Sequence, residues 1–164
     1  MEEPIVNRVA QSPLKVFDLE QLYTSGPRTT VDLSEWLYEG LILKETDFRS
    51  ALKELDWSVY VDHHVAIYCS TDSILPQWAF TLVATYLAPY AQTVVFGNLE
   101  TIEAHLYEKA LSAVDFESYR DKPVILKGCA NKPVPQQAYI TAAIALKKVA
   151  KKLMYGEACS AVPL

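Results

Sequence analysis

The sequence predicts an α/β protein, a three-layer αβα arrangement with a mainly parallel sheet and crossover helices. Three observations carry that reading. The second half alternates short apolar runs with helical periodicities, strand–helix–strand–helix–strand–helix. The runs HVAIYC (64–69), TVVFG (93–97) and PVILK (123–127) are continuous in hydrophobicity, as strands covered on both faces are. The segments between them are long enough for right-handed crossovers.

Taken along the chain, residues 1–28 read as an N-terminal extension with one candidate strand, KVFDL, and a turn at SGPR. TTVDL (29–33) is a second strand candidate. Asp32 and Glu35 match a capping pattern before SEWLYEG, a short helix ended by Gly40. TDFRSALKELDW is amphipathic, with Thr46 as its expected cap and Phe48, Leu52 and Leu55 facing the core. After the strand at 64–69, an apolar helix runs over 75–87. Its lack of a polar face predicts deep burial or contact with another subunit. Asn98 caps the next helix, whose stripe is Leu99, Ile102, Leu106 and Ala110. A long helix is expected over 138–154, with Lys147, Lys148, Lys151 and Lys152 in its final turns and Gly156 as its stop. No internal repeat is apparent, so residues 1–164 read as a single α/β domain.

Composition narrows the function classes. The chain has 164 residues, half of them apolar, and a net charge of −5. No basic stripe offsets that charge, so nucleic acid is not an expected partner. The start, MEEPIVNR, has no apolar signal core, and the run WAFTLVATYLAP is too short to span a bilayer. A cytoplasmic protein without membrane contact is expected, its three thiols reduced. No CxxC pair, Walker loop, GxGxxG or GxSxG is present.

In an open parallel sheet, ligands bind beyond the carboxyl ends of the strands. That rule selects CSTDS (69–73), GNLE (97–100) and KGCANK (127–132), and with them Cys69, Ser70, Asp72, Asn98, Lys127, Cys129, Asn131 and Lys132. Cys69 and Cys129 are the candidate metal ligands, with zinc or iron the expected metals because thiolates are soft donors. Packing competes with this role. Cys69 ends a buried strand and reads first as a small hydrophobe, whereas Cys129 follows Gly128 in a polar loop and stays divided between the two. Gly128 is expected to serve a positive-φ turn. The long helix is expected to carry the chain about 25–30 Å from this edge at ~1.5 Å per residue, so Cys159 is expected to contribute only from a partner subunit. His63 and His64 are expected on opposite faces of a solvated loop, and His105 at a helix surface.

The segments EEPIVNRVAQS, EWLYEGLILKETDFR, VFGNLE, VILKGCANKPVP and MYGEACSAVP together resemble an uncharacterised bacterial family catalogued as a domain of unknown function. The likeness runs over nearly the whole chain. It implies a setting near iron–sulfur assembly and brings no assigned activity or catalytic residue. Three readings stay open. One is an accessory or binding protein with a thiol-lined metal or iron–sulfur-related site, completed by a homodimer or a protein partner. Another is an enzyme using Cys129 as nucleophile beside Lys132. The last is an interaction protein whose cysteines only pack.

Overall fold

A computed structural model describes residues 13–128 and 131–164. It shows mixed α/β structure with seven strands and four α-helices among the described residues. The strands are β1 (Lys15–Phe17), β2 (Arg28–Asp32), β3 (His64–Tyr68), β4 (Thr93–Phe96), β5 (Pro123–Leu126), β6 (Lys152–Tyr155) and β7 (Val162–Pro163). The helices are α1 (Glu45–Glu54), α2 (Gln77–Leu87), α3 (Leu99–Ser112) and α4 (Gln136–Val149). Mostly parallel strands joined by helical crossovers give the expected class, consistent with αβα layering. Among the described residues, no helix is long and apolar enough to cross a membrane.

The strands form two sheets, β1-β5-β6-β7 and β2-β3-β4, where one was expected. They lie in two compact units, residues 25–105 and the remainder, with the first inserted into the second between β1 and β5. β1 is the reason. Its three residues suffice to pair it with β5, Val16 opposite Ile125 and Phe17 opposite Leu126, so β5 joins a sheet without β3.

The two units share one plan, which corrects the reading that no internal repeat exists. Each position from Asp56 to Gly97 has its counterpart 59 residues later. Asp56 and Asp115 cap 3₁₀ turns by accepting the amides of Ser58 and Glu117, at 3.0 and 3.1 Å. Asp62 (φ 63°) and Asp121 (φ 59°) both take the left-handed conformation. Pro76 and Pro135 precede α2 and α4. The register repeats, with His64 opposite Thr93 and Pro123 opposite Lys152. Gly97 and Gly156 donate to the carbonyls of Ile67 and Leu126, each at 3.0 Å. The buried positions match as well: Val65 with Val124, Ala79 with Ala138, Leu87 with Leu146. β1 and β2 complete the likeness, since Phe17-Asp18-Leu19 and Val31-Asp32-Leu33 each run from strand into a 3₁₀ turn capped by the aspartate.

Several local readings change. SEWLYEG is a 3₁₀ turn over Leu33–Trp36 followed by tight turns, because its apolar residues are too few to pay for a helix nucleus. α1 starts one residue before Thr46, and Lys44 stands at its cap without a side-chain bond. Leu55 lies past the helix and is exposed, as is Leu99 at the start of α3. α2 buries one face, through Ala79, Val83 and Leu87. The long helix stops at Val149, and Ala150 turns to an extended backbone (ψ 142°). Lys152–Tyr155 then pairs with β5, with Leu153 buried and Lys152 out in solvent. Lys151 and Lys152 therefore belong to a strand entry.

The cores combine aliphatic positions with a few buried aromatic rings, Phe17 and Tyr107 in one cluster, Phe48 and Trp57 in the other. Leu87 and Leu146, both fully buried at equivalent places, should each cost about 2–5 kcal/mol on mutation to alanine, read by chemical denaturation. Costs below 1 kcal/mol would contradict this packing.

Candidate functional site

Each unit has a polar end where its parallel strands stop, and in each a repeated aspartate organises it. In residues 25–105 this is Asp32, at the end of β2. Its Oδ1 accepts the amides of Ser34 (2.9 Å) and of Ser70 (3.0 Å), tying the exits of β2 and β3 together. The Ser70 hydroxyl donates to Ser34 Oγ at 3.0 Å. Burial pushes the Asp32 carboxyl up, but the hydrogen bonds from Ser70 and Ser34 outweigh it and bring its pKa to about 2. Cys69 is half-buried, its Sγ 3.2 Å from Thr71 Oγ1, and no second cysteine occurs within 25–105. Asp72 is exposed. Asn98 caps α3 as expected, its Oδ1 accepting the amide of Thr101 at 3.0 Å.

In the other unit, Asp18 ends β1. It accepts the amide of Glu20 at 3.0 Å and the ammonium of Lys127 at 2.9 Å. The bond to Asp18, its charge, and the charges of Glu157 and Glu20 hold the Lys127 pKa above its usual value. The Asn131 amide donates to Glu20 Oε2 at 3.3 Å, and Lys132 Nζ lies 5.0 Å from the centre of the Tyr23 ring. Cys129 lies outside the described residues. Gly128 is not at positive φ. A Cβ there would meet the Tyr155 ring at 2.7 Å, so its bare backbone answers a close approach between the exits of β5 and β6.

The same pairing changes the place of Cys159. β6 runs parallel to β5, Leu126 opposite Tyr155, so the chain that α4 carries away returns to the edge from which Lys127 emerges. Glu157, two residues before Cys159, is close enough to act on the Lys127 charge. Cys159 is an exposed free thiol on that loop, and the premise that only a partner subunit could bring it there is removed. The missed signal was β6, four residues whose buried Leu153 follows exposed Lys152 and which the helical period had absorbed.

The sequence-selected residues thus divide by unit. Cys69, Ser70, Asp72 and Asn98 lie at one polar end, while Lys127, Asn131 and Lys132 lie at the other. Among the described residues, no group of three or more His, Cys, Asp or Glu side chains is arranged to hold a metal ion. His64 is not solvated. It is 1% exposed, with Nδ1 3.0 Å from Thr93 Oγ1 and Nε2 2.8 Å from the Ser25 carbonyl, bonds that fasten the β2–β3–β4 entry.

The fold and these two polar ends define a duplicated α/β protein with its candidate chemistry at strand exits. Across residues 3–164, the chain matches the family described as a protein of unknown function, DUF2480, and belongs to it. No curated protein and no solved structure matches the chain.

The Asp32 bonds set a pH dependence. The carboxyl titrates at about 2 when folded and near 3.8 otherwise, so the unfolded chain binds more protons between those values and stability rises with pH there. Asp32→Ala should cost about 1–2 kcal/mol at neutral pH. The gap to wild type should narrow as pH falls from about 4 to about 2 in urea titrations. A gap unchanged down to the lower limit would contradict the assignment.

Proposed function

We propose that this chain is a cytoplasmic binding or accessory protein that holds a soft metal ion or an iron–sulfur intermediate through Cys129 and Cys159, beside Lys127. The parallel pairing of β5 and β6 carries the reading, because it sends both cysteine-bearing loops out from one sheet edge. Thiolates suit zinc and iron. Two thiols leave coordination positions open. That suits a site which passes its cargo on, with Glu157 or a partner's group completing it. Cys69, the sole thiol of residues 25–105, fits packing with its Thr71 contact.

A nucleophilic role for Cys129 has less support. All three histidines, His63, His64 and His105, lie in residues 25–105, so the unit that carries Cys129 holds no imidazole to serve as base.

Protein purified without chelator should carry zinc or iron, and Cys129→Ser and Cys159→Ser should each lower the bound metal at least about tenfold. Cys69→Ser should leave it unchanged. Metal-free wild-type protein that binds neither zinc nor ferrous iron on titration, or metal content indifferent to both substitutions, would overturn the reading.

A further inference from the structure

The repeat also shows where its two copies part. In the sheet β1-β5-β6-β7, the outer edge of β6 is closed by the chain's own end. β7 lies antiparallel on it, Pro163 opposite Met154 and Val162 opposite Tyr155, and the Leu164 amide donates to the Leu153 carbonyl at 3.0 Å. The equivalent strand of the other sheet is β4, with Val95 at the Met154 position and Phe96 at the Tyr155 position. β4 is an outer strand, and among the described residues no strand pairs with its free side. After Gly97 the chain goes directly into α3, so no returning segment follows.

This edge lacks the usual protection. Thr93–Phe96 holds no lysine, proline or charge, the devices that keep outer strands from pairing. Phe96 is 70% exposed and Ile74 fully so. Phe96 packs edge-on to Phe80 at 5.1 Å, in a groove lined also by Leu75, Gln77 and Thr81. The covered copy has the same ring pair as Tyr139 and Tyr155, at 6.0 Å. The apolar version therefore sits at the open edge.

Charge narrows the occupant. Residues 25–105 contain four Lys and Arg against eleven Asp and Glu, a net −7, while the rest of the chain is +2. From Glu54 to Glu108 there is no lysine or arginine. Acids stand at both ends of β4. Asp62 accepts from the Gln92 side chain at 3.3 Å before it, and Glu100 opens α3 after it. The exposed side chains open on the order of a few hundred Å², against roughly 800 Å² per partner in a standard interface. That is small for a second copy of this chain and suits a single strand.

We propose that β4 is a docking edge for an extended segment of another protein, adding as an antiparallel strand as β7 does on β6, with apolar residues opposite Val95 and Phe96 and Lys or Arg at both ends. The backbone supplies the pairing, the Phe80–Phe96 groove takes an apolar side chain, and the acidic surroundings of both ends of β4 favour flanking cations.

The test titrates the full chain with a fluorescein-labelled peptide whose centre repeats Ala161–Leu164 between two lysines at each end. Saturable binding is expected, falling at least about tenfold when salt is raised to about 0.5 M. Phe96→Ser should weaken it by about tenfold, and Val94→Pro, which removes an outward amide of the edge, should abolish it. Thermal melts matching wild type would show that both variants fold, and Phe96→Ser suffices should Val94→Pro not. No saturation of wild-type protein at about 1 mM, equal binding by Phe96→Ser, or preference for a glutamate-flanked peptide would overturn the proposal. So would a dimer in sedimentation that Phe96→Ser dissociates without any peptide bound, which assigns the edge to a second copy.

Discussion

The parallel pairing of β5 with β6 is the constraint on which the candidate site depends. Four residue pairs, from Pro123–Lys152 to Leu126–Tyr155, fix where the chain emerges after both strands. The pairing holds because Val124, Leu126 and Leu153 are buried in one cluster under Ala138, Ala142 and Leu146 of α4. Slip by one residue would turn Leu153 to solvent and Lys152 to the core, so the register is strongly specified. Everything at the polar end follows from it: the tight fit of Gly128 against Tyr155, the approach of Glu157 to Lys127, and the return of Cys159.

Duplication explains why the two polar ends look alike and why they differ. In both, an aspartate at the first strand's end organises the neighbouring loop, Asp32 through the amides of Ser34 and Ser70, Asp18 through Glu20 and Lys127. The repeat equates Tyr68 with Lys127 and Ser70 with Cys129 in the sequence. A neutral ring and a hydroxyl in one copy thus stand where an ammonium and a thiol stand in the other. The first copy holds its carboxylate with neutral hydrogen-bond donors, whereas the second couples it to a cation. Such divergence at strand exits, over matched cores, is what a shared scaffold with separate duties looks like.

The residues made some of this legible. β3, β4 and β5 announced themselves as continuous apolar runs, and α2 and α3 as helical stripes between them. Asn98 named its own capping role. Other features were hidden for definite reasons. β6 continues the lysine-rich tail of α4 without a glycine or proline between them, so periodicity alone extended the helix through it. β1 has three residues, too few to reveal that it takes β5 into a separate sheet. His64 looked like a loop residue beside His63, but strand alternation buries its ring and sends its two nitrogens to Thr93 and Ser25. The repeat itself was readable, in DWSVYVDHHVAI against DFESYRDKPVIL and LPQWAF against VPQQAY. It was obscured because the first strands, β1 and β2, precede both copies back to back rather than at the common spacing.

The central claim is that Cys129 and Cys159 leave one sheet edge of one chain. Reaction of Cys69→Ser protein with dibromobimane, which bridges only neighbouring thiols, tests it most directly, with the linked peptides mapped by mass spectrometry. The account predicts a Cys129–Cys159 bridge within the monomer. Ready alkylation of both thiols by a monofunctional reagent, with no bridge or with bridges only between chains, would contradict it.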